Sequence, residues 1–330
     1  MKKIHILLLA LLLSIGIIAG CGNNGATNEN TANESQQGQS EEQVQEQEGT
    51  SFPVTITDAA DNEVVIEEEP EKIVSLIPSN TEIAFELGLG EKVVGVSDFD
   101  NYPPEAAEKE KIGGMEFNVE KIISLTPDLV LAHGSVMGSA EEGLQQLRDA
   151  GITVLVVNDA TSFEEVYTSI EMVGKAAGAH EQAAETIQQM KDDLQAVKDK
   201  AAEVSEDERK SVFVEVSPSP EIYTPGSNTF MDEMLDLINA KNAAEEQEGW
   251  VQMNEEAILA LNPDVIITTY GYYTENPKEL VMSREGWGDV PAIKNENVYD
   301  VHSDLVTRTG PRLVQGVEEL AKAVYPELFQ

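Results

Sequence analysis

The groups that could do chemistry in this 330-residue chain are one cysteine, four histidines, and 61 acidic side chains against 21 basic ones. A lone cysteine, Cys21, can form no internal disulfide, iron–sulfur cluster or multi-cysteine zinc site. His5, His133, His180 and His302 include no HExxH pair. The chain also lacks a GxxxxGK[ST] loop, a GxSxG elbow and a GxGxxG fingerprint. These absences weigh against an ATPase, an α/β-hydrolase or a nucleotide-linked oxidoreductase. The carboxylates are too numerous for any catalytic pair to stand out. A net charge of −40 leaves no clustered Lys and Arg for a nucleic-acid backbone. No enzyme activity, resident metal or cofactor is expected.

What Cys21 can do is set by what precedes it. Lys2 and Lys3 open the chain, and Ile4 to Ile18 is apolar except for His5, Ser14 and Gly16. That run is short for a membrane span, which needs about twenty residues, and suits a secretory leader. It ends in Ile18-Ala19-Gly20-Cys21, which resembles the bacterial lipobox. Residues 1–20 are therefore expected to be a lipoprotein signal peptide, with a thioether-linked lipid on Cys21. Two or more acyl chains anchor stably where one does not. Residues 21–51 hold Asn, Gln, Glu and Ser, with Val44 as the sole large apolar side chain. They read as a disordered acidic linker spanning roughly 30 Å.

The elements that would position chemistry begin at residue 52. Val54–Asp58 and Glu63–Glu67 alternate around Asp61-Asn62 and predict a hairpin. Strands and helices then alternate, which argues for α/β architecture with parallel sheets. A helix is expected over Thr81–Leu87, capped by Ser79 or Asn80. The longest helical pattern runs from His180 to Val204, with Ala184, Ile187, Met190, Leu194, Val197 and Ala201 on one face. Asn118–Leu131 and Asn254–Ile267 share the frame N-x-E-x-I-[IL]-x-L-x-P-D-[LV]-[VI]-[LI]. In each copy Asn caps a helix, Glu120 or Glu256 sits in its positive first turn, and Pro-Asp leads into a buried strand. With one copy on each side of the long helix, two similar α/β lobes are expected, joined by that helix with a ligand cleft between them. The boundaries read as 52–178, 179–206 and 207–330.

These residues resemble the helical-backbone class of substrate-binding proteins of ABC importers, and within it the vitamin B12-binding proteins. The resemblance covers about residues 72–325. It is carried by Ile73–Phe85, Val94–Pro104, the two repeat blocks, and Ser303–Arg312. It implies a transported ligand, a permease dimer with cytoplasmic ATPases as partner, and docking through Glu120 and Glu256. Duplicated positions are also what a two-fold partner requires; otherwise each acid merely complements a helix dipole. Phe99, Tyr223 and Trp250 match positions where the B12-binding relatives carry aromatics, suited to a corrin disc. Asp304 and Arg308 match a polar pair facing the ligand, though i, i+4 spacing also lets them pair with each other. Gly114 and His133 stand where those relatives place tryptophans. His133 is left with three readings: flat packing, a hydrogen bond to a ligand amide, or ligation of iron or cobalt.

The expected function is a monomeric, lipid-anchored importer receptor for cobalamin or a related corrinoid, on the outer face of a Gram-positive membrane. A receptor for a ferric siderophore or haem is the alternative within the class. A surface-anchored enzyme or a structural lipoprotein is the alternative outside it. Beyond position 210 the only arginines are Arg284, Arg308 and Arg312, which favours a neutral, amide-rich ligand over an anionic chelate.

Overall fold

The repeated Pro-Asp frame shows how the chain builds its sheets. The computed structural model describes residues 51–329; the leader, Cys21 and the linker up to residue 50 lie outside the described residues. An opening hairpin pairs β1 (Val54–Thr57) antiparallel with β2 (Glu63–Ile66). In its turn the Asp58 carboxylate accepts from the Ala60 and Asn62 amides at 3.0 and 2.8 Å.

The first lobe follows as β3 (Ile73–Ser75), α1 (Pro78–Glu86), β4 (Val93–Val96), α2 (Pro104–Ala107) and β5 (Glu110–Lys111). It continues through α3 (Val119–Leu125), β6 (Leu129–His133), α4 (Met137–Asp149), β7 (Thr153–Val157) and α5 (Phe163–Ala177). Its strands lie parallel in the order β5-β4-β3-β6-β7. Helices cover both faces, so β6 is buried at every residue rather than alternating. Helix α1 starts earlier than its sequence predicts. Pro78, with φ preset for a helix, takes the first turn. Asn80 is thereby drawn inside, where its amide donates to the Ala132 carbonyl of β6 at 2.9 Å instead of capping.

Helix α6 (His180–Ala201) packs against α5 and carries the chain onward. Its buried face is Ala183, Ile187, Met190, Leu194, Val197 and Ala201, with Ala183 in place of the expected Ala184. It stops short of Val204 because the Asn239 side chain takes the Ala201 and Val204 carbonyls at 3.4 and 2.9 Å.

The second lobe comprises β8 (Ser211–Glu215), β9 (Ile222–Pro225), α7 (Phe230–Leu237), β10 (Lys241–Asn242), β11 (Trp250–Met253) and α8 (Glu255–Leu261). It closes with β12 (Val265–Thr268), α9 (Pro277–Met282), α10 (Pro291–Lys294), β13 (Val298–Asp300), α11 (Ser303–Thr307) and α12 (Leu313–Val324). A parallel sheet runs β10-β8-β12-β13, and β9 and β11 form a separate antiparallel ribbon.

The internal repeat is repeated in three dimensions. Asn118 and Asn254 cap α3 and α8, accepting from the Lys121 and Ala257 amides at 2.9 and 2.9 Å. Both helices end in a left-handed residue, Thr126 at φ 49° and Asn262 at φ 50°. The Pro-Asp carboxylates then tie neighbouring strands: Asp128 accepts from the Lys72 amide and Asp264 from the Ser211 amide, at 2.9 and 2.9 Å. The described residues are thus two similar α/β lobes joined by one long helix. Each lobe has its own apolar cluster on its α3 or α8 side. A third cluster is continuous from β3 through α5 and α6 to β8, α7 and α12.

Candidate functional site

Parallel strands put all their carboxyl ends on one edge, and ligands enter where the strand order reverses. In the first lobe the reversal lies between β3 and β6, and in the second between β8 and β12. The two edges meet. Asn101, in the loop after β4, donates to Asp304 on α11 at 3.0 Å, and Arg308 donates to the Phe99 carbonyl at 3.3 Å. The candidate site is therefore the interlobe cleft, where strand-end loops of both lobes come together.

On the first-lobe wall, Phe99 is held out by a tight loop. The Ser97 hydroxyl donates to Asp100 at 2.6 Å, and Lys111 donates to the Ser97 and Asp100 carbonyls at 3.1 and 2.8 Å. Burial pushes the Asp100 carboxyl up, against those hydrogen bonds. The Phe99 ring is left 52% exposed. It lies over Gly114, where an added Cβ would sit 3.2 Å from its tip. The missing side chain at Gly114 is thus filled by Phe99 from the next loop.

His133 ends β6 and is 4% exposed. Its Nδ1 accepts from the Ser135 amide at 3.3 Å and lies 2.9 Å from the Ser135 hydroxyl. An amide N–H can only donate, so Nδ1 carries no proton and the neutral ring holds its hydrogen on Nε2. Burial lowers the imidazole pKa, with the Asp159 charge acting the other way. A neutral ring with Nε2–H is a hydrogen-bond donor. Ligating a metal through Nε2 would require that proton to leave.

In the second lobe, the register of β9 and β11 sets Trp250 opposite Pro225 and Gln252 opposite Tyr223. Tyr223 and Trp250 therefore share one face, both about half exposed, with Ile222 and Thr224 buried on the other. Trp250 leans on Phe230 at 5.8 Å between ring centres. The sequence reading missed Tyr272 and Tyr273. They follow β12 in the loop Tyr270-Gly-Tyr-Tyr, pack edge to face at 4.7 Å, and stand exposed, Tyr272 by 64% and 6.4 Å from the His302 ring. Their place directly after the second repeat's strand was the available signal.

The guanidiniums are all taken. Arg284 grips the buried Glu215 at 2.6 and 2.8 Å, with the Tyr270 hydroxyl donating to the same carboxylate at 2.6 Å. Arg308 pairs with Asp304 at 3.1 Å, and also donates to Glu82 at 2.8 Å and to the Asn101 side chain at 2.7 Å. Arg312 holds both Glu82 oxygens at 2.8 and 2.6 Å. Burial opposes the Arg312 charge, but Glu82 outweighs it and raises the pKa.

Glu120 and Glu256 stand apart from this crevice wall. A helix that precedes a parallel strand begins at the edge where strands end, so both acids sit on the same rim as the crevice, one per lobe. Both are exposed, and neither has a salt-bridge partner among the described residues.

The periplasmic binding protein family model matches residues 73–305. An ABC transporter substrate-binding lipoprotein of Bacillus subtilis, YvrC, is 53% identical over 100% of both chains. A cobalamin-binding protein of Halobacterium salinarum is 31% identical, over 83% of this chain and 75% of its own. Among solved structures, a possible iron-binding, periplasmic solute-binding protein of Staphylococcus epidermidis superposes with a TM-score of 0.71 at 36% identity, covering 78% of this chain and 100% of its own. Proteins of this kind carry transported solutes rather than cofactors and are not enzymes. The chain belongs to the periplasmic binding protein family, as a substrate-binding component of an ABC transporter.

Proposed function

We propose that this protein captures cobalamin or a related corrinoid in the interlobe crevice and delivers it to its permease. The observation that carries this reading is the state of the cations. Arg284, Arg308 and Arg312 are each committed to a buried carboxylate, while aromatic faces at Phe99, Tyr223, Trp250 and Tyr272 stand exposed. An anionic iron chelate needs free cations. A corrin, a broad apolar disc edged with amides, needs aromatic walls and neutral donors such as His133 Nε2–H. The name of the Halobacterium relative supports the same ligand.

Tryptophan fluorescence tests this. Trp287 is buried under Arg284, so a binding response reports Trp250. Cyanocobalamin should quench the emission, and Trp250→Ala, titrated by calorimetry because it removes the reporter, should weaken binding by up to about tenfold. No response up to about tens of micromolar overturns the reading. A ferric siderophore or haem is the second reading, favoured by the name of the Staphylococcus neighbour; haemin and a siderophore panel belong in the same titration.

Delivery follows from the rim. Glu120 and Glu256 present one carboxylate per lobe to basic groups on two permease subunits, and their repeated, unpaired setting supports that role. Glu120→Ala with Glu256→Ala should abolish uptake and leave ligand affinity unchanged; lost affinity would refute the assignment. The protein works outside the cytoplasm. Anchoring through a lipid on Cys21, a monomeric state and a Gram-positive outer face complete the proposal, and palmitate labelling lost in Cys21→Ser tests the anchor.

A further inference from the structure

The geometry points to Glu82, Arg308 and Arg312 as a latch that fixes the spacing of the two lobes. Glu82 belongs to α1 of the first lobe and is 3% exposed. Both cations that neutralise it come from the other lobe, from the segment joining α11 to α12. The contact is extensive. Arg312 binds the carboxylate through Nε and one terminal nitrogen at 2.8 and 2.6 Å, and its guanidinium lies 3.8 Å from the Tyr102 ring centre. Arg308 adds its own bond to Glu82 and spreads to Asn101, the Phe99 carbonyl and Asp304.

The backbones approach as well. A Cβ added to Gly310 would lie 3.5 Å from the Ser79 carbonyl of α1. Two carboxylates meet two guanidiniums, so the cluster carries no net charge and leaves neither arginine available as a free cation for a ligand. A buried carboxylate cannot shed such partners without being stranded in a poorly solvating interior. The latch borders the shared core: Ile83 and Ala84 beside Glu82, and Val306, Leu313 and Val314 beside the arginines, belong to the same apolar cluster as the buried face of α6. Because Arg308 holds the Phe99 carbonyl, it also fixes one aromatic wall relative to the other lobe. Glu82, Arg308 and Arg312 are positioning residues here; they set the width of the site. The inference does not depend on which solute is carried.

The test uses the full chain with Cys21→Ser, so that spin labels attach only at Glu142→Cys and Glu279→Cys. These positions are exposed, one on α4 and one on α9. Pulsed electron–electron distance measurements are made without ligand. The parent should give one narrow distance peak. Glu82→Gln should about double its width or displace it. Because that change leaves two arginines to share Asp304 alone, the quadruple variant Glu82→Gln, Asp304→Asn, Arg308→Gln, Arg312→Gln, which leaves no charge unpaired, is measured beside it. Parental width in the quadruple variant, with native circular dichroism, overturns the latch. Failure of the cyanocobalamin titration leaves this result untouched.

Discussion

The two lobes share a frame but neutralise their buried acids differently. The second lobe keeps Glu215 within itself, held by Arg284 and Tyr270. The first lobe's Glu82 has no cation of its own lobe and takes Arg308 and Arg312 from its neighbour. An internal pair makes its own lobe depend on it; a shared pair makes the relation between lobes depend on it.

The largest effect that could break this comparison is in the second lobe. Arg284→Met leaves Glu215 buried and unpaired, and should cost about 3–5 kcal/mol in denaturant unfolding. A cost below about 1 kcal/mol would mean that Tyr270 alone satisfies the carboxylate. Next come the caps, which test how alike the lobes are. Asn118→Ala and Asn254→Ala should each cost about 1 kcal/mol, equal within error, since both make the same bond. Unequal losses would show that the shared frame is differently stressed in the two lobes. The smallest effect concerns pH. His133 ends β6, whereas the matching position after β12 is Thr269, which does not titrate. Burial holds His133 below the ordinary imidazole value of 6.5. As pH falls through that value the unfolded chain takes up a proton before the folded one does, so stability falls. The loss levels off once the folded imidazole is also protonated. Unfolding midpoints at a series of pH values should show this slope in the parent and less of it in His133→Gln.

Much of the fold was legible because the repeat carries its own punctuation. Asn caps and Pro-Asp joints are local devices, written within fourteen-residue blocks. The candidate site was legible only where it too is local. The i, i+4 spacing of Asp304 and Arg308 allowed their contact as one of two readings. It could not foretell Glu82, which lies 226 positions upstream of Arg308 and looks like any surface glutamate among 61 acids. Tyr272 and Tyr273 escaped for a different reason. Aromatic residues in a loop have no periodicity, and only the strand before them fixes where they stand. Helix α6 ended early because Asn239, in another element, took its last carbonyls.

The apolar cluster that runs unbroken through α6 into both lobes has a mechanical consequence. A receptor whose halves share one core has no slack hinge and stores no spring on closing. Widening the crevice means parting close-packed side chains, which resist deformation like a molecular solid. Any change in the spacing of the lobes is then work done against that packing.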